Sequence, residues 1–160
     1  MGTPTCRTER YRCKAWRRIV LLVLRTISGE QALVYIDDKT IYEAYIMVTD
    51  NVTSIGESAF SGCENLTTIT IPDRVRKIGE HAFSWCENLV SIELPSGVTS
   101  ISDYAFEGCE SLTSIEIPNS VTSIGNSAFS WCESLTSIEL PSGVTSIGDG
   151  AFEGCESLVS

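Results

Sequence analysis

The chain has 160 residues, 42% of them hydrophobic, which is enough for one domain with a substantial core. Its net charge is −10 and unevenly spread: residues 1–25 carry seven Lys or Arg against one Glu, and the remainder carries four Lys or Arg against 20 acidic residues. Contacts with nucleic-acid phosphates require cations, so the acidic body argues against DNA or RNA as a partner.

Residues 1–29 form a basic leader with one short apolar run at residues 19–24. The run is too short to span a bilayer, and it is shorter than the core of about 7–15 residues that an export signal uses. No small-residue cleavage site follows it cleanly. Two interpretations stay open for this segment: a degenerate signal peptide, or a disordered leader.

Residues 30–51 contain two runs typical of strands, at residues 33–36 and 41–48, on either side of the turn residues 37–40. The second run falls one 23-residue period before the strand position of the repeats described next. The part between Phe60 and Cys63 has no counterpart there. An incomplete first unit, which lacks a neighbour on one side, is typical of a cap, so we predict N-terminal capping strands.

Residues 52–160 repeat the pattern V-x-x-I-x-x-x-A-F-x-x-C-E-x-L-x-x-I-x-I/L-P-x-x, with copies beginning at Val52, Val75, Val98, Val121 and Val144. A fixed period of this length predicts a solenoid, in which each coil buries its apolar side chains against its neighbours. The fifth copy stops at Ser160 before its strand. We expect either a fragment of a longer array or an open C-terminal edge that self-associates.

Two periodicities occur within each repeat. Ile69 and Ile71 alternate with polar residues, which predicts a strand that ends at Pro72. A second set falls at i, i+1, i+4 and i+7, which favours a short helix or 3₁₀ turn facing inward: Ala59, Phe60, Cys63 and Leu66. The predicted fold is therefore an α/β solenoid with a short parallel sheet on one side and short helical segments opposite.

The units VTSIGESAFSGCENLTTITIP and VTSIGNSAFSWCESLTSIELP resemble the BspA-type leucine-rich repeats of surface proteins. The resemblance covers residues 52–160. It implies a curved leucine-rich repeat solenoid with its parallel sheet on the concave face. It also implies a secreted or cell-surface protein that acts in adhesion or in the recognition of a host protein.

The outward positions of the strands form two polar columns. Glu93, Glu116 and Glu139 repeat at one position, and Ser91, Ser114 and Ser137 at another. Stacked carboxylates repel one another, so a basic partner or a cation would relieve the repulsion. The alternative is a solvated face that is kept acidic for solubility. Calcium requires oxygens that converge on one point, and a flat ladder does not converge, so we expect no metal.

Trp85 and Trp131 occupy a position that is Gly in the other repeats. Two aromatic rings separated by two coils could bind a sugar or a protein anchor. The alternative is that each ring covers a neighbouring glycine and shields the backbone.

Catalytic chemistry finds no support in the sequence. Five cysteines repeat at one position, which favours a buried packing column over metal ligands or disulfides, and His81 is the single histidine. We expect no enzyme activity, no cofactor and no membrane span. The leading hypothesis is a protein-binding module that contacts an extracellular or host protein of basic character through the concave face. The alternative is a structural spacer, or a truncated repeat fragment, with no ligand of its own.

Overall fold

A computed structural model describes the backbone of residues 22–25, 31–36 and 44–48, and both backbone and side chains of residues 52–159. Most of the leader and the turn at residues 37–40 lie outside the described residues, so the two interpretations of residues 1–29 stay predictions. The described part contains 12 strands. They are β1 (Leu22–Arg25), β2 (Gln31–Ile36), β3 (Ala44–Val48), β4 (Ser54–Ile55), β5 (Leu66–Thr70), β6 (Lys77–Ile78), β7 (Ser91–Glu93), β8 (Ser100–Ile101), β9 (Ser114–Glu116), β10 (Ser123–Ile124), β11 (Ser137–Glu139) and β12 (Ser146–Ile147).

The long sheet has the strand order β1-β2-β3-β5-β7-β9-β11. Its first three strands are antiparallel, and from β3 onward the strands run parallel. Parallel neighbours are offset by one repeat, so that Ile69, Ile92 and Ile115 lie side by side. β3 joins this ladder with Ile46 opposite Ile69, which is the register that the 23-residue period indicates. β1 lies within residues 1–29, for which the sequence predicts a leader.

A second wall of each coil is a two-residue strand. β4 pairs in parallel with β6, and β8, β10 and β12 form a three-stranded parallel sheet. Each of these strands contributes one inward isoleucine, and the first four are fully buried: Ile55, Ile78, Ile101 and Ile124. The predicted solenoid is confirmed, because equivalent segments of successive coils pair in register from β5 to β11 in the long sheet and from β8 to β12 in the small one.

The core lies between these walls and consists of stacked identical side chains. The ring centroids of neighbouring Phe residues lie 5.1–5.6 Å apart, with ring planes within 9° of parallel. Four of the five rings are completely buried: Phe60, Phe83, Phe106 and Phe129. Each fully buried Phe or Leu contributes about 1.5–3 kcal/mol, so stability is spread over many equivalent contacts. In the last coil the inward Ile147 is 50% exposed.

The predicted helical segments are wrong, because within the described residues the Ala-Phe-x-x-Cys segment is a series of turns. Alternate amides take different partners. The amides of Ser58, Phe60 and Gly62 donate to carbonyls of the following coil at 2.8–2.9 Å, whereas those of Ala59 and Ser61 donate three residues back in their own coil. An α-helix uses its backbone amides for hydrogen bonds within its own segment. Amides that donate to the next coil therefore exclude a helix here.

Backbone dihedrals give a second reason. Two positions of each coil, four residues apart, have positive φ, a conformation that no residue of an α-helix adopts. In the first coil these are Ser58 (φ 53°) and Gly62 (φ 70°). The prediction that Ala, Phe and Cys of this segment face inward is confirmed, since Ala82, Phe83 and Cys86 are completely buried.

The buried cysteines also bond to the backbone. In four successive coils the thiol donates to the carbonyl of the Phe in the preceding coil at 3.1–3.3 Å, as Cys109 does to Phe83. Burial raises the pKa of the Cys109 thiol well above its usual range, and repulsion from the neighbouring Cys86 and Cys132 adds to the effect. Burial likewise raises the pKa of Cys132 to about 12. The column is therefore both a packing feature and a set of bonds between coils.

Candidate functional site

The outward face of the parallel strands β7, β9 and β11 carries the predicted polar columns. Each strand reads Ser-Ile-Glu, and the alternation of a pleated strand turns Ile inward and the other two residues outward. Strand pairing sets Glu93 beside Glu116 and Glu116 beside Glu139. The serines are aligned in the same way: Ser91, Ser114 and Ser137. All six residues are exposed, and we call them the glutamate face.

Repulsion dominates the electrostatics of the glutamate face. Neighbouring strands lie about 5 Å apart, and two unit charges at that distance repel by about 1 kcal/mol in water. Glu116 has a carboxylate on each side. Cationic groups that settle between these carboxylates would replace repulsion with attraction, so the face favours a basic ligand over an acidic one.

Trp85 and Trp131 lie on a different side of each coil, within the turn segment that leads from the small sheets back to the long one. Each ring lies on the glycine of the following coil: a Cβ atom added at Gly108 would stand 2.6 Å from Cε3 of Trp85, and one at Gly154 would stand 2.8 Å from the same atom of Trp131. The interpretation in which each ring covers a glycine matches this arrangement. The residues remain 44% and 46% exposed, so each is also accessible to a ligand.

The structure does not bring all eight predicted residues to one surface. The six residues of the glutamate face share one sheet, whereas the two tryptophans belong to the turn segment. Sequence reasoning also missed an acidic column in that segment. The residue that follows each repeated cysteine is Glu and is exposed in every coil: Glu64, Glu87, Glu110, Glu133 and Glu156. The signal for it was the unbroken Cys-Glu pair of the repeat.

His81 lies between acidic side chains. Its imidazole ring stacks on Tyr104 at 4.6 Å with planes 3° apart. Its Nε2 and Nδ1 atoms are each 3.8 Å from a carboxylate oxygen, of Glu80 and Glu107 respectively. The contacts described for the ring are with Tyr104, Glu80 and Glu107 and include no nucleophile.

Within the described ranges, no group of three or more His, Cys, Asp or Glu side chains is placed to hold a metal ion. Nor do those ranges contain a helix with the length and apolar character needed to cross a membrane.

Stacked 23-residue coils with a parallel sheet, inward aliphatic columns and an exposed polar strand face define a leucine-rich repeat protein. The family model described as "BspA type Leucine rich repeat region" matches residues 31–160 with six copies. The chain belongs to this family, as its resemblance to the repeat units predicted. The matched region begins inside the segment 30–51 that we assign to the cap.

Three solved structures are similar to this chain. A leucine-rich repeat protein from Bacteroides ovatus is 35% identical with a TM-score of 0.67, over 81% of this chain and 39% of that one. A leucine-rich repeat protein of T. pallidum is 31% identical with a TM-score of 0.71, over 87% of this chain and 66% of that one. A leucine-rich cell surface protein from Faecalibacterium prausnitzii is 32% identical with a TM-score of 0.70, over 81% of this chain and 37% of that one.

The chain thus spans less than two thirds of the length of each of these three proteins. No curated protein matches its sequence. Membership of the family establishes a repeat fold of the protein-binding class, and leucine-rich repeat families are generally non-enzymatic scaffolds.

Proposed function

We propose that the protein acts at the cell surface or in secreted form and binds an extracellular or host protein through the glutamate face. The observation that carries this proposal is the register of Glu93, Glu116 and Glu139, three exposed carboxylates in adjacent strands with like charges on either side of the central one. Such an arrangement costs free energy in the isolated protein and is relieved by a basic partner.

The composition of the array supports a basic partner. After Lys77 the chain contains no Lys or Arg, while twelve Asp or Glu residues follow. Long-range attraction to a basic surface therefore has no opposing charge on this part of the protein, and it should speed association at low salt. The surface location is supported by the family and by similarity to a protein described as a leucine-rich cell surface protein.

The proposal is tested by neutralising the glutamate face. The variant Glu93→Gln, Glu116→Gln, Glu139→Gln is immobilised beside the unchanged protein, and both are exposed to an extract of extracellular-matrix proteins at about 0.05 M and about 0.3 M salt. We expect the unchanged protein to retain specific basic proteins, with retention that falls as salt rises. The variant should lose these proteins at both salt concentrations.

The matched control removes the same number of charges from another side of the coil. Glu57→Gln, Glu80→Gln, Asp149→Asn alters three exposed acids outside the long sheet. It should retain the same proteins as the unchanged chain. If the two variants lost the retained proteins equally, binding would depend on net charge alone and not on the glutamate face. If the unchanged chain retained nothing above background, the spacer interpretation would be favoured instead.

A further inference from the structure

Trp85 and Trp131 have a strained backbone in an exposed place. Their φ angles are 61° and 60°, in the left-handed region that disfavours residues with a Cβ by about 1–2 kcal/mol. The equivalent residue in the other three coils is Gly62, Gly108 or Gly154, also at positive φ. Glycine therefore suits this position better in backbone terms. A bulky aromatic residue that is nearly half exposed is poorly explained by core packing.

Each Trp ring packs on the glycine of the following coil. With a methyl group at Gly108 or Gly154 the Trp ring could not lie where it does. Each ring is thus covered on the side of that glycine, while 44% of Trp85 and 46% of Trp131 remain exposed. The two tryptophans thus form two similar aromatic platforms on the same side of the solenoid.

Acidic residues neighbour both tryptophans, because the amides of Trp85 and Trp131 donate to the backbone carbonyls of Glu107 and Glu153. The glycine beneath each ring is preceded by a glutamate, Glu107 or Glu153, whereas the residue before each Trp is the buried Ser84 or Ser130. The exposed Cys-Glu column runs through the same turn segment in every coil. A cation beside an aromatic ring and carboxylates is attracted both by the ring quadrupole and by the negative charge of the carboxylates.

We propose that Trp85 and Trp131 form a second binding surface, distinct from the glutamate face, which takes a cationic polypeptide segment by stacking arginine or lysine groups on the two rings. The acidic surroundings favour this occupant over an anionic ligand. They add nothing to the binding of a neutral sugar, which is the other common ligand of exposed aromatic rings.

The spacing of the two rings restricts the conformation of that segment. Successive Phe rings of coils two to four are 5.4 Å apart, so two coils advance about 11 Å along the axis. A polyproline II helix repeats the same face every three residues, or about 9 Å. In an extended β-strand, residues on the same face lie about 7 Å apart at i and i+2 and about 13 Å apart at i and i+4. Polyproline II with cationic residues at every third position and a strand with cationic residues at every fourth position both come within about 2 Å of this spacing, and polyproline II is favoured because it is already ordered before binding.

The test uses a fluorescein-labelled peptide of Arg-Pro-Pro repeats and measures fluorescence anisotropy against the full chain. The variant Trp85→Gly, Trp131→Gly inserts the residue that the other coils carry at this position, so the backbone remains compatible with its φ. We expect it to weaken binding about five- to thirtyfold, since each of the two cation–π contacts at an exposed site contributes roughly 0.5–1 kcal/mol. A peptide of Gln-Pro-Pro repeats should bind weakly to both proteins.

Three outcomes separate the alternatives. Unchanged affinity of the double Trp variant, with far-UV circular dichroism showing that it is folded, would overturn the proposal. So would Trp-dependent binding of a neutral oligosaccharide that exceeds binding of the arginine peptide. The comparison is repeated in the background Glu93→Gln, Glu116→Gln, Glu139→Gln, in which the glutamate face no longer attracts the peptide: a further loss of affinity on adding Trp85→Gly, Trp131→Gly assigns that binding to the Trp surface, and no further loss overturns the proposal whatever the fate of the glutamate face.

Discussion

At the scale of single residues, two glycines allow the cost of backbone strain at positive φ to be measured apart from the cost of a side-chain clash. A Cβ at Gly62 would meet nothing within 4 Å, whereas one at Gly108 would collide with the ring of Trp85. Both have φ near 70°. Gly62→Ala should therefore lower the free energy of unfolding by about 1 kcal/mol, from backbone strain alone.

Gly108→Ala should cost more, because the Trp85 ring must also move. Urea denaturation of the two variants, with unchanged slope, measures the difference. Equal losses would mean that the ring is not held on Gly108 in solution, which would also weaken the case for a fixed aromatic platform.

The cysteine column predicts a loss of stability at alkaline pH. Because burial raises the pKa of Cys132 to about 12, its stabilising effect is complete below the pKa of an unfolded thiol and is lost as pH rises toward the folded value. With an unfolded pKa of about 8.5, the loss between pH 8 and pH 10 is about 2 kcal/mol.

Cys132→Ala removes this group while keeping the other thiols. It is less stable at pH 7 because a cavity and a hydrogen bond to Phe106 are affected. Its stability should nevertheless fall less steeply with pH, by about 2 kcal/mol over the same interval. Guanidinium denaturation at pH 8 and pH 10 measures how the free energy of unfolding changes with pH in the unchanged chain and in the variant. Equal changes in the two proteins would contradict a raised pKa for the buried Cys132 thiol.

At the scale of the structural element, the sequence predicted strands better than turns. The Ser-Ile-Glu strands and their register followed directly, because an invariant 23-residue period leaves one alignment of neighbours. The turn segment was mistaken for a helix because Ala59, Phe60 and Cys63 have helical spacing. The overlooked signal was glycine at the two positive-φ positions of some copies, such as Gly62 and Gly150. The sequence also left two interpretations of Trp85. The period does not specify the orientation of the ring, and the contact with Gly108 depends on that orientation.

Stability of the Phe column should depend on position. Phe106 is completely buried between Phe83 and Phe129, whereas Phe152 is partly exposed and stacks only on Phe129 among the described rings. Phe106→Ala should lower the free energy of unfolding by about 3–5 kcal/mol, and Phe152→Ala by about half as much. Thermal and urea denaturation of both variants tests this gradient. Similar losses at the two sites would indicate a globally cooperative core without the local character of a solenoid.

At the scale of the whole molecule, charge is organised along the solenoid axis. Both the glutamate face and the Cys-Glu column place like charges at each coil step, about 5 Å apart. This distance is shorter than the Debye length of about 10 Å at 0.1 M salt, so the repulsion is only partly screened under ordinary conditions. Ligand attraction and folding stability are therefore opposed in the same residues, since the carboxylates that favour a basic partner destabilise the free protein.

Salt should consequently stabilise the protein. Raising sodium chloride from about 0.02 M to about 0.5 M should increase the free energy of unfolding by on the order of 2 kcal/mol. The variant Glu110→Gln, Glu116→Gln neutralises the central member of each column, so it should be more stable than the unchanged chain at low salt and gain less from added salt. The control Asp149→Asn, Glu153→Gln removes the same net charge from two exposed positions whose equivalents in the preceding coil are Asn126 and Ser130, and it should retain most of the salt dependence. If all three proteins gained equally, the repulsion would belong to net charge and not to the alignment of carboxylates by the coils.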